Sequence, residues 1–224
     1  MVSIAEELKH LRAEIPTEVC LVAVSKTKPI AAVMEAYEAG QRIFGENHAQ
    51  EMQEKAETCP KDIQWHFIGH LQRNKVKYIA PHVHLIHSID SVRLLEEVNK
   101  QAIKIGRIIP VLLQIKIAKE DSKYGLDLEE AKEILIANTL NPLAGIAFHG
   151  LMGMATNTED TTVVKTEFSL LKSYYDSLSS ISAGNIDWQH CSMGMSGDFQ
   201  LAMECGSNMV RVGSRIFGAR NYPA

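Results

Sequence analysis

Short apolar runs alternate with longer amphipathic stretches along almost the whole chain. Eight of these runs have the length and composition of buried strands. They are Cys20–Ser25, Arg42–Gly45, Gln64–Gly69, Val83–Ser88, Ile109–Lys116, Ile146–His149, Ile186–Cys191 and Asn208–Val212. The pattern therefore predicts eight strands spread evenly through the sequence.

The stretches between the runs place apolar residues at helical spacing. One predicted helix precedes the first strand, with Ile4, Leu8 and Leu11 on one face, and others cover Ile30–Ala39, the residues after Ser91, Leu128–Ala137, Thr161–Leu178 and Gly197–Cys205. Ser91 is a good N-cap for the helix after it. Either Asp127 or Glu129 begins the predicted helix Leu128–Ala137. Gly40 is a suitable stop for the second helix.

Strands that alternate with helices pair in parallel, because each helical crossover must cover a face of the sheet. Eight such units can close into a barrel of roughly 250 residues. An open doubly wound sheet has the same local pattern and is the alternative. We predict an α/β fold, a (β/α)8 TIM barrel with an extra N-terminal helix, as a single domain over residues 1–224.

Composition narrows the class of protein. The 224 residues are 46% hydrophobic, enough for one sizeable core, and the formal net charge of −4 gives no reason to expect a nucleic-acid or membrane-surface partner. The N-terminus lacks the basic and apolar segments of a signal peptide, and no apolar run approaches the ~20 residues that cross a bilayer. The four cysteines form no CxxC pair, so we expect reduced thiols and a cytoplasmic location.

The carboxyl ends of the strands are where ligands bind in either architecture. Lys26 closes the first predicted strand, on the same face as Val22 and Val24. An amine at the edge of an apolar barrel mouth is partly desolvated, which suits it for Schiff-base chemistry. An ordinary surface lysine is the alternative, and Lys28 offers the same face two residues later, already in the turn.

Two glycine- and serine-containing segments follow the last two predicted strands. Ser196, in the segment Ser192–Asp198, is a candidate N-cap whose helix would direct free N–H groups at a phosphate, although Asp198 places a competing carboxylate there. Gly213 and Ser214 can supply further donors. In TIM barrels the loops after strands seven and eight often form one phosphate site together. An ordinary capped helix is the alternative, and Arg211 could equally be a buried salt-bridge partner.

Other chemistry has less support. His82, His84 and His87 lack a carboxylate or cysteine that would complete a ligand set, so we predict no metal site. Arg73 and Lys75 belong to a small basic patch that is typical of a solvated helix face. No GxSxG, Walker or GxGxxG motif is present.

Ordered motifs along nearly the whole chain resemble those of the pyridoxal 5′-phosphate (PLP) homeostasis protein family, which is related to the N-terminal barrel domain of alanine racemase. The motifs are Val24–Pro29, Phe44–Asn47 with Gln50 and Glu51, Trp65–Lys75, His149–Met152, Ser192–Ser196 with Asp198, Val210–Ser214, and Ile216–Gly218.

The resemblance implies a role for seven residues. Lys26 would bond covalently to the aldehyde of PLP, and Ser196, Gly213 and Ser214 would hold its phosphate. The other three are Arg211 facing the pyridine nitrogen, Asn47 near the ring and Met152 in the pocket wall. No residue is assigned a catalytic role.

The resemblance further implies a monomeric, non-catalytic carrier that buffers PLP and affects amino-acid and keto-acid balance. Its partners would be PLP itself and apo-PLP-enzymes or amino acids, with no nucleic acid and no membrane. An arginine at the ring nitrogen disfavours its protonation and makes the ring a poorer electron sink. The alternatives are a small PLP-dependent amino-acid racemase or lyase, and a regulatory protein whose bound cofactor is incidental.

Overall fold

Eight parallel strands form a closed barrel. The computed structural model describes residues 3–118 and 124–218. Its strands are β1 (Cys20–Val24), β2 (Ile43–Glu46), β3 (Gln64–Phe67), β4 (Val83–Ile89), β5 (Ile109–Ile115), β6 (Ile146–Gly153), β7 (Ile186–Met195) and β8 (Met209–Val212). Each strand pairs with the next, and β8 pairs with β1 from Cys20–Met209 to Ala23–Val212. The predicted barrel is confirmed, and the open sheet is wrong because its two edges are hydrogen-bonded to each other.

Helices cover the outside of the barrel. Those within the described residues are α1 (Ile4–Glu14), α2 (Ile30–Glu38), α3 (Ala49–Thr58), α4 (Val76–Ile79), α5 (Val92–Lys104), α6 (Leu128–Leu140), α7 (Thr161–Leu178), α8 (Phe199–Glu204) and α9 (Ser214–Phe217). The predicted extra helix before β1 is confirmed as α1. Ser91 caps α5 by accepting from Leu94 N–H, and Asp127 rather than Glu129 caps α6.

Strands β6 and β7 run further than their apolar runs predicted. The prediction that Gly150–Met152 and Ser192–Met195 follow their strands is wrong, because both segments continue the barrel. Irregular registers in both strands accommodate the extra residues. Gly150 has φ +135, and a Cβ there would lie 1.9 Å from the carbonyl oxygen of His190. Only glycine therefore lets β6 pass β7 at this point.

The apolar core has two parts. The larger part lies between the strands and the helices and contains Phe44, Phe148 and Phe168. A smaller cluster fills the barrel interior and consists of Val22, Leu85, Leu112, Met152 and Met209. Because strand side chains alternate, Val24, Met154 and Arg211 form the next layer toward the carboxyl ends of the strands. The described helices include none long and apolar enough to cross a membrane.

Candidate functional site

A cavity of about 260 Å³ opens at the carboxyl ends of the strands, directly above the interior cluster. It is lined by Val24, Lys26, Asn47, Ile68, Met154, Met195, Ser196, Gly197, Arg211, Gly213 and Ser214. Six of the seven predicted site residues therefore meet at one place. The cavity is smaller than the ~300–1,000 Å³ of typical drug-sized pockets, so it suits a small ligand. Its position is the usual one for a TIM-barrel site.

Lys26, and not Lys28, contributes to the cavity wall. Lys26 lies two residues beyond the end of β1 and is partly buried. The Nζ atom of Lys28 instead donates to the carbonyl oxygens of Phe217 and Gly218, at 2.8 and 3.2 Å. These carbonyls lie at the C-terminal end of α9, where a cation is favourable. The structure thus separates two lysines that strand alternation alone left on one face.

Ser196, Gly197, Gly213 and Ser214 form one side of the cavity with hydroxyl and backbone groups. The Ser196 hydroxyl oxygen accepts from Gly213 N–H at 3.0 Å, which leaves the Ser196 O–H able to donate to a ligand. This contact joins the loops after β7 and β8. An anion between the loops would meet several donors and little side-chain bulk.

The predicted capping role of Ser196 is wrong. Helix α8 begins at Phe199 rather than Gly197, and its N-cap is Asp198. A tight turn between β7 and α8 occupies the residues expected to be helical, because the Asp198 carboxylate accepts from Met195 N–H. That contact engages the carboxylate within its own turn. Ser196 is thereby left at the cavity instead of at a helix end.

Arg211 is almost fully buried, with 4% of its surface exposed, and lies beneath the cavity. One guanidinium nitrogen donates to Ser192 Oγ at 2.6 Å and the other to the Gly153 carbonyl oxygen at 3.0 Å. Both acceptors are neutral. Burial lowers the pKa of Arg211 to about 10, so the side chain remains charged at neutral pH and keeps N–H groups to offer a ligand.

A hydrogen-bonded chain runs from Arg211 into the barrel interior. Ser192 Oγ lies 3.2 Å from His87 Nδ1, and His87 Nε2 lies 2.9 Å from His66 Nδ1. Burial holds the pKa of both histidines well below the ordinary value, so each ring is neutral. Arginine only donates, so Ser192 Oγ accepts from Arg211 and has its hydroxyl proton and a second lone pair left for His87. The hydrogen-bonded chain thus links the guanidinium beneath the cavity to two neutral rings in the barrel interior.

The backbone of Asn47 passes close to a glycine, Gly69, two residues beyond the end of β3. A Cβ on Gly69 would lie 2.6 Å from the Asn47 carbonyl oxygen, so only glycine permits this close approach. The side-chain Oδ1 of Asn47 is buried and has no hydrogen-bond partner among the described residues. A buried polar atom without a partner is costly, so it provides a contact point for a bound molecule.

Met152 is the predicted site residue that the structure does not bring to the cavity. It is fully buried in the interior cluster, one layer below the cavity. Met154 is on the same face of the chain two residues later and lines the cavity instead, together with Met195. The length of β6 would have revealed Met154, but the apolar run predicted a strand that ended at His149.

The histidines outside the cavity contact other protein side chains and form no metal site among the described residues. His70 Nδ1 lies 3.1 Å from Asp90 Oδ2, and the His70 ring stacks on Tyr124, with ring centroids 3.9 Å apart. Residues 3–118 and 124–218 contain no group of three or more histidine, cysteine or acidic side chains arranged to hold a metal ion.

Comparison with known proteins defines the class. The model of the alanine racemase N-terminal domain family matches residues 2–221, nearly the whole chain. At the level of full-length relatives, a protein of Vibrio alginolyticus named pyridoxal phosphate homeostasis protein is 38% identical over 99% of this chain and 100% of its own length. The protein of the same name from Homo sapiens is 42% identical over 90% of this chain and 77% of its own.

A solved structure gives the same result. PipY of Synechococcus elongatus PCC7942, in a structure with PLP bound, is 36% identical and superposes with a TM-score of 0.86 over 96% of this chain and 100% of that one. The chain thus belongs to the alanine racemase N-terminal domain class of barrels. Within that class, it belongs to the pyridoxal phosphate homeostasis protein family, as the sequence motifs predicted.

Proposed function

We propose that this chain binds PLP covalently on Lys26 and acts as a cytoplasmic, monomeric carrier in vitamin B6 and amino-acid or keto-acid homeostasis. The observation that carries the proposal is the convergence of Lys26, Arg211 and the Ser196–Gly213–Ser214 wall on one cavity. The names of the relatives and the PLP-bound structure of PipY support it. Apo-PLP-enzymes or amino acids would receive the cofactor from it.

The described residues fit each part of PLP. The hydroxyls and backbone N–H groups at Ser196, Gly213 and Ser214 suit a phosphate. Arg211 offers a donor to the ring nitrogen, and the unpartnered Asn47 Oδ1 offers an acceptor beside the ring. Lys26 supplies the amine, which condenses with an aldehyde to give a carbon–nitrogen double bond and one released water.

The composition of the cavity wall favours a carrier over a racemase or lyase. PLP, when bound, supplies an electrophilic carbonyl carbon and an electron-withdrawing ring. Arg211 keeps its protons, so it donates to the ring nitrogen and disfavours the protonated ring that best stabilises a carbanion. The described lining contains no carboxylate, histidine, tyrosine or cysteine. Racemisation requires a second acid–base group beside the lysine.

Borohydride trapping tests the covalent part of the proposal. The purified protein, incubated with PLP, should gain an absorbance band that borohydride abolishes, and peptide mapping should then find the label on Lys26. Lys26→Ala should gain no such band, whereas Lys28→Ala, the matched control, should behave as the unmodified chain does. A label on Lys28, or a protein that takes up no PLP in excess, would contradict the proposal.

Turnover separates the carrier from the enzyme. The PLP-loaded protein should convert no single L-amino acid into its D-isomer or keto acid. Conversion that is abolished by Lys26→Ala would establish the racemase or lyase instead.

A further inference from the structure

A buried cluster of charges lies behind Lys26, outside the cavity. Lys55 of α3 is 3% exposed, and its Nζ donates to the Ser25 carbonyl oxygen at 2.8 Å, Glu46 Oε1 at 2.7 Å and Glu51 Oε1 at 2.8 Å. An ammonium has three donors, so these contacts use all of them. Buried ion pairs contribute little net stability, because desolvation offsets the attraction. The cluster therefore calls for an explanation other than stability.

The cluster holds the backbone on both sides of Lys26. The Ser25 hydroxyl donates to Glu46 Oε1 at 2.6 Å, and Thr27 N–H donates to Glu51 Oε1 at 2.6 Å. Lys28 N–H donates to the Ser25 carbonyl oxygen at 3.0 Å and closes a turn whose two central residues are Lys26 and Thr27. Lys55 donates to the same Ser25 carbonyl. Ser25 and Thr27, the residues on either side of Lys26, are thus each hydrogen-bonded to members of the same cluster of three charged side chains.

The turn needs such a restraint because its backbone is strained. Thr27 has φ +62, the left-handed region, and is the one described non-glycine residue with positive φ. A positive φ at the second central position of a turn favours glycine, so a β-branched residue there is strained. Such a conformation persists only where the surroundings impose it. Glu51 and Lys55 supply that constraint through Thr27 N–H and the Ser25 carbonyl.

We propose that Glu46, Lys55 and Glu51 are positioning residues for Lys26, which fix the strained turn so that the Lys26 amine is presented to the cavity. This inference rests on the proposed function, because it assigns the cluster to attachment of the aldehyde on Lys26. Glu51 is the partner to substitute, since its side chain is partly exposed, whereas Glu46 and Lys55 are buried.

The test compares Glu51→Ala with Glu51→Gln. Alanine removes the acceptor of Thr27 N–H, whereas glutamine keeps an oxygen at that position. The rate at which PLP attaches, followed by absorbance, should fall about tenfold or more in Glu51→Ala, because a misplaced reacting group loses proximity. Glu51→Gln should retain most of the rate. Glu54→Ala, an exposed residue on the same helix, is the matched control and should leave it unchanged.

Pyridoxine 5′-phosphate distinguishes positioning from a general loss of binding. It has no aldehyde and cannot bond to Lys26, so its affinity reports on the rest of the cavity. That affinity should be the same in Glu51→Ala as in the unmodified chain. Equal loss of pyridoxine 5′-phosphate binding, or an unchanged attachment rate, would overturn the inference. Urea denaturation of both variants verifies that they remain folded.

A second substitution tests the route through the turn. Glycine adopts φ +62 without strain, so Thr27→Gly in the Glu51→Ala background should recover the attachment rate. No recovery would mean that Glu51 does not act through the turn. Hydrogen exchange at Thr27 N–H, measured without any cofactor, should be faster in Glu51→Ala. If the unmodified chain takes up no PLP, the proposed function fails. Independently of that outcome, an unchanged rate of hydrogen exchange at Thr27 N–H in Glu51→Ala would overturn the positioning role.

Discussion

At the scale of the residue, Arg211 limits what the site can do with a bound ring. It is buried between two neutral acceptors, and its pKa of about 10 leaves it protonated at neutral pH. A charged donor at this position can neutralise part of a ligand's negative charge and hydrogen-bond a ring nitrogen, but it cannot accept a proton. On the proposed function, it would therefore strengthen binding without adding acid–base chemistry.

We expect Arg211→Gln to weaken PLP binding by roughly 10–150-fold, because a hydrogen bond to a charged group is worth about 1.5–3 kcal/mol. Absorbance titration gives the dissociation constant. Arg215→Gln is the control: this arginine binds Glu14 at 2.8 Å, away from the cavity, and its loss should leave the constant unchanged. Equal constants for Arg211→Gln and the unmodified chain would show that the ligand does not contact the guanidinium.

Strand alternation and position at strand ends explain why most individual site residues could be predicted. Both rules are local, so they placed Lys26, Ser196 and Gly213 at the carboxyl ends of the strands without any tertiary information, whereas the roles of Asn47 and Arg211 came from the family resemblance. Met152 shows their limit. The depth of a side chain in a barrel depends on how far its strand extends, and Gly150 extends β6 through a conformation that an apolar pattern does not encode.

At the scale of the element, α3 shows why the positioning cluster was missed. Its sequence, Ala49–Thr58, has one large apolar residue, Met52, and its buried face is completed by small alanines and by Lys55. Helical periodicity is recognised from large apolar residues, so a lysine on the buried face of a helix is interpreted as a solvent-facing residue. The charge of Lys55 is compensated by Glu46 on β2, a partner that only the fold brings near.

The capping of α6 gives a prediction at the same scale. Asp127 accepts from Glu130 N–H, and Glu130 accepts from Asp127 N–H, which forms a reciprocal capping box. Asp127→Ala should reduce the free energy of unfolding by about 1 kcal/mol. Glu129→Ala, in the same exposed turn, should change it by only a few tenths of a kcal/mol. Urea denaturation measures the free energy of unfolding of both variants. Equal losses in Asp127→Ala and Glu129→Ala would contradict Asp127 as the cap.

At the scale of the whole molecule, closure of the sheet was beyond the reach of local patterns. Periodicity predicted the number and order of strands, and each of the eight is present. A doubly wound sheet would show the same periods, and what distinguishes the barrel is the pairing of β1 with β8 across nearly the whole chain. The placement of two phosphate-type loops after strands seven and eight favoured the barrel, because neighbouring loops meet only when their strands are adjacent.

Closure also buries His66 and His87, whereas His149 and His190 are partly buried and His84 is exposed. Burial lowers the pKa of His66, His84, His87, His149 and His190, the last to about 4. In the unfolded chain these rings titrate near 6.5. Below that pH the unfolded state binds more protons than the folded one. The contribution of these histidines to the free energy of unfolding is therefore fully present above about pH 6.5 and is lost as the pH falls.

Glu46 has the opposite effect. Burial raises its pKa to about 7, against an ordinary value of 4.5, so between those values the folded protein holds a proton that the unfolded chain releases. Its contribution to stability is present below about pH 4.5 and is lost as the pH rises toward 7. Lys55 and Ser25 face it and moderate the rise in its pKa, whereas the charge of Glu51 adds to that rise. One carboxyl group opposes several histidines, so the histidines determine the direction of the net effect.

We therefore predict that the free energy of unfolding falls as the pH is lowered from about 7 to about 5, by up to ~1.4 kcal/mol per pH unit for each fully suppressed histidine. His87→Asn should be less stable at pH 7, because His66 loses its partner, but its stability should fall less steeply with pH. His10→Gln, at an exposed position on α1, should keep the original slope. Urea denaturation across this range measures all three slopes. A slope in His87→Asn equal to that of the unmodified chain would mean that His87 contributes nothing to the pH dependence, and the neutral ring assigned to it in the folded barrel would then be wrong.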